Sequence, residues 1–123
     1  MATRRKTDPQ TGRAAVHAWL DGHTDKKTVT TAVRFTLEEL ADIAPGHAVE
    51  VRVPPAGAVQ CIEGPQHTRG TPPNVIEMEP HTWLELATGR TTWETALASG
   101  SVHASGERAH LAHLLPLHAT KRR

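Results

Sequence analysis

Nine histidines in 123 residues are a large supply of metal-ligating and proton-transferring nitrogen, so they are weighed first. His110 and His113 stand three apart, which puts both on one face if the segment is helical, with His103 a short way upstream. Zinc takes four ligands, three of them from protein in a catalytic site, and no His-Glu-x-x-His pair is present. The expectation is solvated surface imidazoles, with no metal and no other cofactor. Cys61 is the single cysteine, which excludes an intrachain disulfide and the usual structural zinc site. A reactive thiolate needs a nearby cation or a helix N-terminus. Cys61 instead falls within a strand-like stretch, and an inert buried thiol is expected. Gln60 and Glu63 lie on the same stretch, but acid–base work by a carboxylate dyad needs a second buried acid to which the pattern does not point. No set of nucleophile, base and oxyanion donors stands out, so no catalytic residue is assigned and the chain is expected not to be an enzyme.

The remaining polar feature is the loop from Gly64 to Pro73, where Pro65, Pro72 and Pro73 constrain a backbone carrying His67 and Arg69. A guanidinium fork suits a carboxylate or phosphate, so this pair is a candidate contact for the head group of an amphiphile. The alternative is a connection whose polar side chains simply face water.

The elements around these residues follow from hydrophobic period and punctuation. Asp8-Pro9 gives an N-cap and a first-turn proline, and Val16, Trp19 and Leu20 share a face before Gly22. A second helix opens near Asp25 and carries Val29, Val33, Leu37, Leu40 and Ile43 at spacings of three and four, until Pro45-Gly46 ends it. The period then changes to two. Val49, Val51 and Val53 alternate with Glu50 and Arg52, and Pro54-Pro55-Ala56-Gly57 turns the chain into a return strand over Ala58 to Ile62. A third strand is expected at Val75 to Met78. Pro80 opens a helix with Trp83, Leu84, Leu86 and Ala87 that Gly89 stops. Thr91 with Glu94 reads as a capping box for the next helix, which bears Trp93 and Leu97 and stops near Gly100. A short strand around Val102 and a final helix with Leu111, Leu114 and Leu115 complete the chain.

The C-terminal half of this order carries a resemblance. Trp83-Leu84-Glu85-Leu86-Ala87-Thr88-Gly89, then Trp93 through Gly100, then Ser101-Val102-His103-Ala104-Ser105-Gly106 resembles the C-terminal half of sterol carrier domains. The likeness covers about residues 76 to 115, and the upstream order of a long helix and a three-strand meander is also the family's. The whole chain looks like the stand-alone bacterial branch. The resemblance implies an α+β fold: roughly five strands in a mostly antiparallel sheet, covered on one face by helices, with an apolar tunnel between them for fatty acyl, sterol or other hydrophobic ligands. It implies Trp83, Leu84, Leu86, Trp93, Leu97, Val102, Leu111, Leu114 and Leu115 as candidate lining. The same residues at the same spacing equally describe an ordinary packed core. Peroxisomal relatives end in a Ser-Lys-Leu address, whereas this chain ends Lys121-Arg122-Arg123 and is expected to carry none.

Charge narrows the partners. Arg4, Arg5, Lys6, Lys121, Arg122 and Arg123 are six of the fourteen basic residues, so residues 7 to 120 hold eight basic and thirteen acidic side chains, a net of −5. A phosphate-binding face needs clustered Lys and Arg on the folded part, so nucleic acid is not an expected partner. No run of eighteen apolar residues and no signal-like segment occur, which points to a cytoplasmic protein without integral membrane association. The chain is expected to be one domain over 9–117, flanked by flexible basic tails at 1–8 and 118–123. It is read as a monomer or homodimer that binds a lipid or other hydrophobic small molecule. An accessory interaction module with a filled groove is the alternative.

Overall fold

The Asp8 carboxylate accepts the Thr11 backbone N–H at 2.9 Å and Pro9 takes the first turn, so the chain enters helix α1, Pro9–Leu20, at the expected place. Asp25 repeats the device for α2, Lys26–Ile43, accepting the Thr28 amide at 3.1 Å. The computed structural model describes residues 7–64 and 74–121. Along α2 the apolar positions Val29, Val33, Leu37 and Leu40 are buried, while Ile43, at the helix end, is 53% exposed. The two helices approach closely at Gly12, where an added Cβ would lie 2.3 Å from the Phe35 ring.

Strand β1, Val49–Val53, buries Val49, Val51 and Val53 and leaves Glu50 and Arg52 half-exposed, the alternation of a sheet with one dry face. β2, Gly57–Cys61, pairs antiparallel to it, with Val49 opposite Cys61 and Val53 opposite Gly57. The return strand ends one residue before the expected Ile62 because Ile62 takes φ 66°, a conformation costly for a β-branched side chain. That turn is held from both sides: the Ile62 N–H donates to the Ala44 carbonyl at 2.7 Å, and the Ile62 carbonyl accepts from Ala48. Gly46 is required beside it, since a Cβ there would lie 2.1 Å from the Ile62 oxygen.

The expected meander is replaced by a crossover. β3, Val75–Met78, lies on the far side of β1 and runs parallel to it, with Val51 beside Ile76. Asn74 fixes this placement. Its carboxamide donates to the Ala48 carbonyl at 2.8 Å, its oxygen accepts the Arg108 amide at 2.9 Å, and its own carbonyl accepts from Glu50. β4, Val102–Ser105, pairs antiparallel to β3, giving the order β2-β1-β3-β4. The described sheet therefore has four strands rather than roughly five, and it is mixed, with two antiparallel pairings and one parallel.

Helix α3, Pro80–Thr88, ends at Gly89 in the left-handed region, φ 82°, as expected. The Arg90 and Thr91 amides both return to the Glu85 carbonyl, so Thr91 belongs to the stop of α3. The cap of α4, Trp93–Ala98, accordingly moves one residue to Thr92, whose hydroxyl accepts the Thr95 amide at 3.1 Å. The final helix is absent. Residues 112–114 and 118–120 form single 3₁₀ turns, because Pro116 forces Leu115 into extended backbone, φ −115° and ψ 148°, where no helix can continue.

The chain stays packed beyond the expected domain limits. Thr7 donates its amide and hydroxyl to the Glu38 carboxylate at 3.1 and 3.2 Å. At the other end Thr120 is 3% exposed and its hydroxyl reaches the Ala87 carbonyl at 3.1 Å. The core forms one cluster between the helices and the dry face of the sheet, from Val16 and Trp19 through Leu40, Val51 and Ile76 to Trp83, Leu111 and Leu117.

Candidate apolar site and its surroundings

Most of the residues expected to line a ligand site lie in that one core. Trp83, Leu84, Leu86 and Leu111 are wholly buried, and Trp93 and Val102 nearly so. Leu114 and Leu115 are partly buried against them, and Leu97 stands apart at 44% exposure on the outer side of α4. His67 and Arg69, the expected head-group pair, lie outside the described residues.

Trp83 is fixed by more than packing. Its indole N–H donates to the Thr36 hydroxyl at 2.7 Å, joining α3 to α2 in the middle of the apolar layer. Thr36 in turn donates to the Ala32 or Val33 carbonyl, at 2.7 and 3.0 Å, so the buried hydroxyl both accepts and donates. Trp19 also has a partner, His81 Nδ1 at 3.1 Å, and the Arg90 guanidinium stands 5.2 Å above its ring. Cys61 is buried on the dry face, and burial pushes its thiol up to about 12. The thiol stays neutral at physiological pH, the inert state expected from the sequence.

Two of the hollows formed by the described residues flank the core. One, about 220 Å³, opens between the end of α3, the start of α4 and the C-terminal turn; Trp93, Leu115, Ala112 and Pro116 form its apolar walls, with Glu94 and Thr91 among the polar ones. Here the structure brings together two of the expected lining residues, Trp93 and Leu115. The other, about 400 Å³, lies at the carboxyl ends of β1 and β3, between Pro54, Met78, Glu79, Thr82, Ser101 and His103. It was not legible beforehand, because its walls come from separate segments whose meeting depends on the crossover. Beside it, the open face of the sheet carries Arg52, Glu77 and His103 in one cross-strand row, and Arg52 pairs with Glu50 at 2.6 Å.

The histidine pair takes a different form from a helical face. His110 precedes the first 3₁₀ turn and His113 lies within it; their rings stack with centroids 6.0 Å apart, and His110 meets Trp93 edge-on at 5.8 Å. Among the described residues no three His, Cys, Asp or Glu side chains converge as metal ligands. Nor is any described helix long and apolar enough to cross a membrane.

No curated protein matches the chain. A family model described as bacterial SCP ortholog matches residues 25–117. That span begins at the cap of α2 and takes in the whole sheet, the Trp83 layer and the walls of the smaller hollow, and on it the chain belongs to the bacterial SCP ortholog family, a sterol carrier-like domain.

Proposed function

We propose that the chain binds a lipid-like hydrophobic molecule, fatty acyl or sterol-like, and acts by enclosing it rather than by chemistry. The observation that carries this reading is the family match over 25–117, which contains the apolar layer between sheet and helices and the hollow walled by Trp93 and Leu115. Apolar burial would supply the affinity, at about 25 cal/mol for each Å² removed from water, less the entropy lost on association. No residue is given a chemical step on this reading, and the buried thiol is neutral.

A second reading rests on a different observation. Trp83, Leu84, Leu86 and Leu111 fill the layer themselves, so a chain threaded there has to displace them. On this reading the protein is an accessory interaction module with a filled groove. Native mass spectrometry of protein purified from its own host, followed by extraction, separates the two. A lipid released only on unfolding is expected. A bare mass, with no later binding of fluorescent fatty acid or sterol, would overturn the carrier reading in favour of the filled groove.

A further inference from the structure

The larger hollow has the size of a complete small-molecule site. Its volume is about 400 Å³, within the roughly 300–1,000 Å³ typical of such sites. Its place in the sheet is also one where ligands collect. β1 and β3 are parallel neighbours, and past their carboxyl ends the chain leaves in different directions, β1 turning back as β2 and β3 running into α3. A crevice opens where such connections diverge. Pro54 closes it on the β1 side, Met78 and Thr82 on the β3–α3 side, and Ser101 and His103 on the β4 side.

Carboxylates set its charge. Glu77 and Glu79 both line the hollow, and as alternate residues of one extended stretch they leave the chain on the same side, roughly 6–7 Å apart along it. Neither side chain has a hydrogen bond or ion pair to a described residue. Arg52 shares the cross-strand row with Glu77 but is engaged by Glu50 at 2.6 Å. Glu79 holds the N-cap position of α3 without its side chain accepting an amide there. The N-terminus of α3 brings about half a positive charge to the hollow, against two full negative ones, so the balance of these groups favours a cation.

We infer that this hollow binds a small organic cation, a short alkyl diamine whose two ammonium groups meet Glu77 and Glu79. Geometry separates that class from a metal ion. Among the described residues no three His, Cys, Asp or Glu side chains converge as metal ligands, so Glu77, Glu79 and His103 share the hollow without forming a coordination sphere. The space is also far larger than a bare ion fills. Pro54 and Met78 supply apolar wall for the hydrocarbon between the two charges, and an extended four-carbon diamine spans about the separation of the two glutamates. The site is distinct from the apolar layer proposed to take a lipid-like molecule.

The test titrates 1,4-diaminobutane into the full chain at low ionic strength, where exposed ion pairs are least screened, and follows the backbone amides in a ¹H–¹⁵N spectrum. Saturable shifts are expected at Glu77, Glu79, Thr82, Ser101 and His103. Both glutamates are exposed, so Gln at either position preserves the fold. Exposed ion pairs are individually weak, so Glu77→Gln and Glu79→Gln should each weaken binding about 1.5- to 5-fold, and the double variant about 2- to 25-fold. n-Butylamine should bind the unaltered protein about as weakly as the single variants bind the diamine, and 1,4-butanediol should not bind. Glu94→Gln removes the same charge at the smaller hollow and should leave the affinity unchanged. An equal loss in Glu94→Gln would reduce the effect to general attraction by the acidic side chains, and shifts centred elsewhere would refute the site. Diol binding as strong as diamine binding would overturn the cation, and the same saturable shifts with magnesium chloride at equal concentration would overturn the organic class. No response to any probe would overturn the inference outright and leave lipid binding standing, since none of these probes tests the apolar layer.

Discussion

The hydrogen bond from Trp83 to Thr36 gives the sharpest test of the packing that surrounds the apolar layer. Thr36→Val keeps the shape of the side chain and removes the acceptor, leaving an indole N–H buried with nothing to meet it. Such a group costs about 1–3 kcal/mol, and with ~3–5 °C of melting shift per kcal/mol for a domain of this size, about 2 kcal/mol lowers Tm by roughly 6–10 °C. Trp83→Phe removes the donor and also opens space, so its cost mixes lost packing with the lost bond. The double variant has no orphan to penalise. Its destabilisation should therefore fall short of the sum of the single variants by about 1 kcal/mol, measured by urea denaturation followed by far-ultraviolet circular dichroism. Additivity within ~0.3–0.5 kcal/mol would refute the reasoning, as would a neutral Thr36→Val, which would mean that the indole finds another acceptor. The cycle also bears on function. A ligand that parts α2 from α3 must break this bond, so saturating ligand should shrink the coupling, whereas a filled groove leaves it untouched.

Gly12→Ala should destabilise by about 1–3 kcal/mol or more, because the new methyl meets the Phe35 ring at 2.3 Å; Phe35→Leu in the same chain should recover part of the loss in a melting experiment. Cys61 should resist a thiol reagent in the native state and label at the rate of unfolding. Its folded thiol is raised from 9.0 to about 12 by burial, so its contribution is complete below pH 9.0 and declines as pH climbs toward 12, where only the unfolded chain is ionised. Asp25 and Asp8 carry the opposite sign. The Thr28 hydroxyl and amide hold the Asp25 carboxyl below 3.8, and the Thr11 amide and hydroxyl do the same for Asp8. Their stabilisation is present above 3.8 and lost as pH falls through the folded values, so Asp25→Ala should melt earlier at neutral pH and converge on the parent in acid.

The helices were legible because their signals are local. A carboxylate three residues before an amide, a proline in the first turn, apolar residues at three and four, and a glycine past the end all act within one or two turns, and α1, α2 and α3 follow them closely. Where the reading missed by one residue, at Thr92, two local signals competed: the backbone of Thr91 was already consumed in stopping α3. The final helix failed for a reason that was also local, since Pro116 outweighs the Leu111, Leu114 and Leu115 spacing.

The sheet shows the opposite case. The alternation of β1 was plain, yet nothing near β3 says which neighbour it pairs with, and the parallel placement depends on Asn74 reaching Ala48 and Arg108 from far along the chain. The candidate site divides the same way. Burial of Trp83, Leu84 and Leu86 follows from their spacing on α3, but that Trp93 and Leu115 share a hollow, and that Glu77, Glu79 and His103 border another, depends on segments brought together only by the fold. By itself, then, the sequence determined the local elements, the inert thiol and the family order of the C-terminal half, because short-range sterics and hydrogen bonds decide them. Strand order, the hollows and the charges gathered at one of them were decided by tertiary structure, because each depends on which distant atoms come within a few ångströms of one another.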